Sequence, residues 1–249
     1  MPKLRLDQAL VDRGLCASRE KAKRAILAGL VRVAGLLVSK PGHPIPPDAP
    51  LSLQQPERFV SRGGYKLEHA LLHFQVNVSG ITAIDLGAST GGFTDCLLQH
   101  GAARVFAVDV GRGQLAWKLR QDPRVTVMDK INARFLDRHH FPPAFAGAGL
   151  IVADCSFISL KKILPSAVAL LDLSGRMIAL VKPQFEAGRA EAGRGKGVIR
   201  DPAIHARILN ELKTFASEST GLRWVGETPS PLLGPAGNKE FLVLLEQKR

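Results

Sequence analysis

Six charged side chains along this chain could do chemistry together: Lys66, Asp85, Asp109, Asp154, Lys182 and Glu240. Carboxylates recognise hydroxyls and cations, and a lysine beside carboxylates can move a proton. Asp85 and Asp109 bracket one stretch, DLGASTGGFTDCLLQHGAARVFAVDVG, residues 85–111. It reads as strand, glycine turn, helix, second strand and acidic residue. Gly87, Gly91 and Gly92 let the chain turn tightly and let a ligand approach the backbone, with Ser89 and Phe93 beside them. An acid about 20 positions after such a turn can accept two ribose hydroxyls, the role expected of Asp109. The stretch therefore predicts a site for an adenosine-containing cofactor. A nicotinamide site prefers G-x-G-x-x-G, whereas here Ala, Ser and Thr separate Gly87 from the next glycine. Asp85, two positions before Gly87, would repel a pyrophosphate and suit an amino group. S-adenosylmethionine has that ammonium, a ribose and no phosphate. Asp85 is expected at its amino end, Gly87 and Gly91 at its backbone clearance, and Asp129, after RVTVM, near its adenine. A nicotinamide cofactor, or a plain strand–helix–strand turn with no ligand, stays the alternative.

The elements that must hold these residues alternate. Strands are expected at 81–86, 104–109, 124–128, 149–153, 176–181, 222–227 and 239–245. Helices are expected near 64–75, 91–100, 113–120, 159–172 and 202–219. Such alternation predicts a doubly wound α/β fold with a mostly parallel seven-stranded sheet. TPSPLLGPAGN separates the last two strands without a helix, so they should pair antiparallel. A parallel sheet ending in such a hairpin resembles the plan of the S-adenosylmethionine-dependent methyltransferases. Ligands in open α/β sheets sit at the carboxyl ends of parallel strands. Asp154 ends LIVAD and Lys182 ends MIALVK; Glu240 begins EFLVLLE, a strand running backwards, so its start lies at the same edge. Lys66 lies in the helix YKLEHALLHF just before the first strand. Taken singly, Lys66 reads as a solvated helix residue, Lys182 as a strand-end charge, Glu240 as a partner for Lys239, and Asp154 as a helix cap. Their convergence on one edge beside a cofactor motif favours one shared cleft, with Asp154 facing the cofactor as well.

Composition sets the bounds. The chain has 249 residues, 45% of them hydrophobic, with a formal net charge of +12. That charge favours a polyanionic partner, although a ribosomal or membrane-surface role fits it too. No apolar run is long enough to span a membrane, and MPKLRLDQALVDRG does not read as a secretory signal, so a cytoplasmic enzyme is expected. Cys16, Cys96 and Cys155 lie far apart without metal-ligand spacing; they read as reduced thiols, and no metal is expected. The first 60 residues, with ten lysines and arginines against five acids, form a separate module, and 61–249 the main domain. DQALVDRG reads as a helix with Asp7 as N-cap and Gly14 past its end; SREKAKRAILAG reads as a second, capped by Ser18 and stopped by Gly29. LVRVAGLLVSK reads as a strand pair around Ala34 and Gly35, followed by an irregular proline-rich connection.

RLDQAL, then SREKAKRAILAGLVRV and a short hairpin, resembles the S4 RNA-binding domain, a small α+β module. The resemblance places its second helix on structured RNA, with Arg5, Arg19, Lys23 and Arg24 as phosphate contacts. Arg62, and Arg189 and Arg194 of the glycine-rich basic segment GRAEAGRGKGVIRDP, are further candidates. Lys66, Asp154, Lys182 and Glu240 match the K-D-K-E tetrad of ribose 2′-O-methyltransferases. SRGGYKL, DCSFISL, VKPQFEAG and GNKEFL are similar to strings of the TlyA (hemolysin A) family, which joins an S4 domain to an FtsJ-like catalytic domain. That resemblance implies transfer of a methyl group from S-adenosylmethionine to a cytidine 2′-hydroxyl of large-subunit ribosomal RNA, and in some members of small-subunit RNA. Free RNA or ribosomal subunits would be the partner. It implies Lys182 as base or proton relay, Asp154 orienting it, Lys66 tuning it as a neighbouring cation, and Glu240 holding the lysines in register. Burial or a second cation makes a lysine a better base, while the two acids oppose that effect. A non-catalytic RNA-binding assembly factor is the alternative. A membrane-lytic protein, suggested by the family's other name, is opposed by the missing spanning segment.

Overall fold

The computed structural model describes residues 3–54, 57–188, 191, 193, 195, 197–234 and 236–247; Arg189 and Arg194 lie outside them. The chain forms two compact units, divided between Arg58 and Phe59.

In the first unit, β1 (Leu4–Arg5) leads directly into α1 (Leu6–Asp12), and α2 (Arg19–Leu27) follows. β2 (Val31–Val33) and β3 (Leu36–Leu37) form a hairpin, and β4 (Pro44–Ile45) and β5 (Leu51–Leu53) complete the unit. Ser18 caps α2 by accepting from the Lys21 amide, and Gly29 follows it at φ 72°. Ala34 and Gly35 both have positive φ, which gives the hairpin its tight turn. The core is Leu6, Ala9, Leu10, Ala22, Ile26, Val31 and Ile45. Two expectations change. The proline-rich connection supplies β4, paired with β1, and β5, paired with β2. Asp7 is not the N-cap: Arg5 stands there without a side-chain cap bond. Asp7 lies inside the first turn, fully buried, accepting from Arg5 at 3.1 Å and Arg19 at 3.0 Å. These guanidiniums hold its carboxyl down to about 2.

The second unit begins with α3 (Gly63–His73), then β6 (Thr82–Leu86), α4 (Gly92–Gln99), β7 (Arg104–Asp109), α5 (Trp117–Arg120), β8 (Val125–Asp129) and β9 (Ala148–Ala153). After these come α6 (Leu164–Val168), β10 (Leu171–Val181), α7 (Pro183–Glu186), α8 (Pro202–Ser219), β11 (Leu222–Pro229) and β12 (Phe241–Gln247). One seven-stranded sheet has the order β11-β12-β10-β9-β6-β7-β8. β8, β7, β6, β9 and β10 are parallel, and β12 runs antiparallel to both neighbours. From β6 the chain winds outward through β7 and β8; from β9 it winds the other way. The direction reverses between β6 and β9, where open α/β sheets bind ligands.

Strand alternation divides the core. Ile84, Leu86, Phe106, Val108 and Ile151 pack on one face; Ala83, Val105, Ala107, Leu150 and Val152 pack on the other, with α3 and α4. Both faces of the central strands are covered, which explains their nearly continuous apolar sequences. The expected helix 113–120 contracts to the single turn α5, because Gly113 has φ 72° and Ala116 is extended. The expected helix 159–172 becomes a 3₁₀ turn, Leu160–Lys162, and the short α6 with Pro165 in its first turn. Proline lacks the amide that a continuous helix would need there. Residues from Leu171 onward join β10, beginning opposite Ala148.

Gly64, in the first turn of α3, has no room for a side chain. A Cβ there would overlap Phe59, itself 1% exposed and packed edge-on against Tyr65 at 5.0 Å. Overpacking of this kind costs about 1–3 kcal/mol, which lowers Tm by about 2–4 °C per kcal/mol in a domain this size. Gly63→Ala is the control, since its Cβ would meet only ordinary contacts at 3.5 Å and beyond. Calorimetry should show Gly64→Ala melting below both parent and control; equal melting would mean Phe59 is free to move.

Candidate active site

The cofactor-type turn is built from the end of β6. Asp85 is fully buried. Thr94 Oγ1, on α4, donates to Asp85 Oδ2 at 2.7 Å, while Oδ1 has no hydrogen-bond partner among the described residues. Burial pushes its carboxyl up to about 7; the Thr94 bond opposes this, and the charges of Asp154 and Asp109 add to it. Gly87 turns the chain at φ 81°, and a Cβ there would meet the Asp154 carbonyl oxygen at 3.0 Å. Glycine thus lets the ends of β6 and β9 touch, and the Asp154 amide donates to the Leu86 carbonyl at 3.0 Å. At the end of β7, Asp109 accepts from the amides of Ser89 at 2.8 Å and Gly111 at 2.7 Å. Ser89 itself is left-handed at φ 49°, so the carboxylate holds a strained turn in place.

The four tetrad residues form two ion pairs. Lys66, buried on α3, donates from Nζ to Glu240 Oε2 at 2.6 Å. Lys182 Nζ lies 2.5 Å from Asp154 Oδ1 and donates to Ser156 Oγ at 2.8 Å. The Asp154 contact is an ion pair without hydrogen-bond alignment, since Oδ1 makes no hydrogen bond among the described residues. Lys182 follows the last residue of β10, and Pro183 after it favours the extended backbone it adopts, φ −111° and ψ 100°. Val181 pairs with Phe241, so Lys182 and Glu240 continue the same two strands at one edge. Glu240 Oε1 sits where a side chain on Gly234 would be, 2.5 Å from the position of its Cβ. Buried Asn238 accepts from the Ile199 amide and donates to the Gly197 carbonyl, fixing the loop ahead of Glu240.

Three adjoining cavities run along this edge. A first, of ≈ 340 Å³, is lined by Gly87, Ser89, Asp109, Asn132, Asp154 and Ser156, among others. A second, ≈ 360 Å³, is lined by Asp85, Gly87, Ser89, Gly92, Phe93, Arg62, Lys66, Asp154, Ser156 and Lys182, with further loop residues. A third, ≈ 540 Å³, is lined by the whole tetrad with Ser156, Phe157, Gln184 and Phe185. Most candidate cofactor residues therefore line the first two cavities. Gly91 does not; its missing Cβ makes room for Leu115 and Leu119. Asp129 is turned to Arg120 at 3.0 Å and the Gly113 amide, and Ile131, Asn132 and Ala133 form that side of the first cavity. S-adenosylmethionine fits this donor set: Asp109 stands on the first cavity, and the unpartnered Asp85 oxygen lies beside the second.

The candidate RNA contacts fare unevenly. Arg5 and Arg19, about half exposed, are both tied to Asp7. Lys23 pairs with Glu20 at 2.8 Å, and Arg24 is exposed. Arg62 donates to the Leu233 carbonyl at 3.1 Å and borders the second cavity. Sequence reasoning missed Thr94, Ser156 and Asn238. Ser156 carries a readable signal, since it stands two positions after Asp154 in a chain leaving a strand, where alternate side chains share a side. Asn238 gives none, because its partners are far away in sequence, and Thr94, nine residues after Asp85, becomes readable only once α4 is folded back on β6.

Comparison with known proteins fits this architecture. Residues 59–247 match the FtsJ-like methyltransferase family, and residues 4–50 match the S4 domain. A candidate rRNA methyltransferase of Bacillus subtilis, YqxC, is 51% identical over 247 residues, 98% of this chain and 85% of that protein. The 16S/23S rRNA (cytidine-2′-O)-methyltransferase TlyA of Mycobacterium tuberculosis is 46% identical over 244 residues, 97% of this chain and 89% of its own. A solved structure of a candidate hemolysin from Streptococcus thermophilus is 45% identical with a TM-score of 0.75, covering 100% of this chain and 90% of that one. Matched by family, relatives and fold alike, the chain belongs to the FtsJ-like methyltransferase family and carries an S4 domain ahead of its methyltransferase domain.

Proposed function

We propose that this protein methylates a ribose 2′-hydroxyl of ribosomal RNA, at a cytidine, using S-adenosylmethionine. The observation that carries the reading is the pair of lysine–carboxylate contacts, Lys182–Asp154 and the buried Lys66–Glu240, lining one cavity beside the cofactor-type turn. The name of the M. tuberculosis relative supports the nucleoside and the position. The cofactor supplies an electrophilic methyl group on a sulfonium. Asp109 would hold its ribose hydroxyls and Asp85 its ammonium, with Gly87 leaving space beside them. Lys182 takes the proton of the 2′-hydroxyl, Asp154 holds the lysine, and Lys66 with Glu240 keeps the target sugar beside it. In-line placement of the reacting oxygen supplies a large share of the rate. The S4 unit, with Arg24 and Lys23 exposed or lightly paired, would hold RNA phosphates, which give affinity without base choice. Mapping the nucleotide labelled when ribosomal subunits meet labelled S-adenosylmethionine tests the reading directly; no label in RNA overturns it.

Three outcomes follow from these roles. Lys182→Ala should cut single-turnover transfer by about 10²–10⁴-fold at saturating cofactor and RNA. Lys182→Arg should not restore it, because a guanidinium keeps its proton at working pH; a near-parental arginine variant would leave Lys182 a positioning cation only.

Cofactor affinity should depend on pH through Asp85. Its carboxyl titrates at about 7 in the free protein, and an ammonium ligand favours the ionised form. Below that value binding must expel a proton, so affinity rises with pH, by up to about tenfold per unit, and levels off above it. Calorimetry at pH 6.5 in buffers of different ionisation enthalpy should detect proton release, and Asp85→Asn should abolish it. Affinity that stays flat from acid to neutral pH would contradict this placement.

Lys23→Ala with Arg24→Ala should weaken RNA binding and flatten its salt dependence by about 0.7–0.9 log units per lost contact, with Tm unchanged. Arg19→Ala should lower Tm as well, since the buried Asp7 would lose a partner. Parental salt slopes in the double variant would mean that α2 is only solvated.

A further inference from the structure

We propose that Ser156 is a positioning residue of the methyl-transfer site, aiming the lone pair of Lys182 at the ribose hydroxyl; this rests on the transferase reading above. Two observations carry it. Ser156 and Asp154 are the residues common to the linings of all three cavities, so both stand where cofactor side and tetrad side meet. Ser156 Oγ also accepts from Lys182 Nζ at 2.8 Å, on the same ammonium that Asp154 holds.

The chemistry follows from counting hydrogens. A lysine acting as base must be a neutral amine, with two N–H bonds and one lone pair in tetrahedral directions. A carboxylate alone holds one of them and leaves the lone pair two tetrahedral directions to choose between. Ser156 Oγ is the aligned acceptor for one hydrogen, and Asp154, in ionic contact at 2.5 Å, draws the other to its own side. The lone pair is then left in the third direction, away from both, toward the space that the second and third cavities share. In the step, Nζ would take the proton of the 2′-hydroxyl while bound S-adenosylmethionine would supply the methyl group and be left as a neutral thioether. Lys182 becomes an ammonium, its hydrogen on Ser156 stays in place, and its new charge strengthens the contact with Asp154.

The platform for this is stiff. The Asp154 amide is bonded to the Leu86 carbonyl at 3.0 Å, and Cys155 Sγ donates to the same carbonyl at 3.4 Å. Phe157 immediately afterwards is left-handed at φ 63°, which turns the chain away just beyond Ser156. Among the described residues the Ser156 hydroxyl has no acceptor, so its hydrogen is free to point away from Lys182, the orientation that accepting requires.

Single-turnover transfer to ribosomal subunits, with the KM of cofactor and RNA, is measured for parent, Ser156→Ala and Ser156→Thr. In parallel, hydrogen exchange of the Lys182 ammonium is followed by nitrogen-resolved NMR, its signal assigned by loss in Lys182→Ala. Misplacing a catalytic group by about 1 Å costs about 10²-fold, so Ser156→Ala should slow transfer by about 10–100-fold. Both KM values should hold, the ammonium hydrogens should exchange faster, and Ser156→Thr should restore rate and protection. An alanine variant at parental rate, an unchanged ammonium exchange, or a threonine variant that restores neither would overturn the proposal. A parent that labels no RNA would instead sink the transferase reading, and the ammonium measurement would still decide whether Ser156 holds Lys182.

Discussion

Two lysines are held in a low-dielectric sheet edge by one carboxylate each, and much of the second unit is arranged so that this can happen. Removing one partner of a buried ion pair leaves an uncompensated charge and costs about 3–5 kcal/mol. Lys66 comes from α3, Glu240 from the residue before β12, Asp154 from the end of β9 and Lys182 from the end of β10. These pairs can form only when strands distant in sequence reach the same edge. The antiparallel β12 is essential here. A parallel last strand would present its carboxyl end at this edge, and the residue preceding it would lie at the opposite one. With β12 reversed, Glu240 comes beside Lys182 through the Val181–Phe241 register.

Backbone proximity does the rest. Gly87 lets the ends of β6 and β9 touch. Gly92 admits Ser61 and the Gly64 amide against the start of α4, while Gly64 admits Phe59. Each missing side chain brings one more segment to the edge. Gly234 extends the pattern, since Glu240 Oε1 occupies the space its side chain would take. These glycines let segments of the unit pack against one another, a use that spacing alone does not reveal. Gly91 is the plainest instance, fitting beneath Leu115 and Leu119 and lining neither cofactor-side cavity.

The strand ends were legible in the sequence because they obey topology. Asp85, Asp109, Asp154 and Lys182 follow apolar runs that could only be buried strands, and the missing helix before EFLVLLE announced the hairpin. The short helices were less legible. Periodicity over 159–172 suits a helix, yet Pro165 and the pairing of Leu171 with Ala148 divide it between a 3₁₀ turn, a short helix and a strand. Asp7 shows a second limit. Its position before an apolar run fits an N-cap, but two arginines, one of them twelve residues away, draw the carboxylate into the core. Thr94 and Asn238 were illegible because a hydroxyl or an amide becomes functional only through the group it happens to face.

Charge is distributed in opposite senses on the two scales that matter here. The chain as a whole carries a formal +12, yet the sheet edge that lines the cavities gathers Asp85, Asp109, Asp154 and Glu240 against Lys66 and Lys182. A cofactor with a sulfonium and an ammonium needs acids nearby, and a polyanionic RNA needs the reverse. Burial reconciles them. Glu240 and Asp154 are each neutralised at contact distance by a lysine, so little of their field reaches beyond the roughly 8 Å over which salt screens charge in physiological solution. Asp85, buried with one oxygen held by Thr94, goes further and stays largely protonated below about pH 7. Its negative charge then develops when a cation arrives to share it. The acids are thus strong partners for a ligand inside the cavities and weak repellents for a phosphate backbone outside. A cationic cofactor and an anionic substrate can therefore be held at one sheet edge.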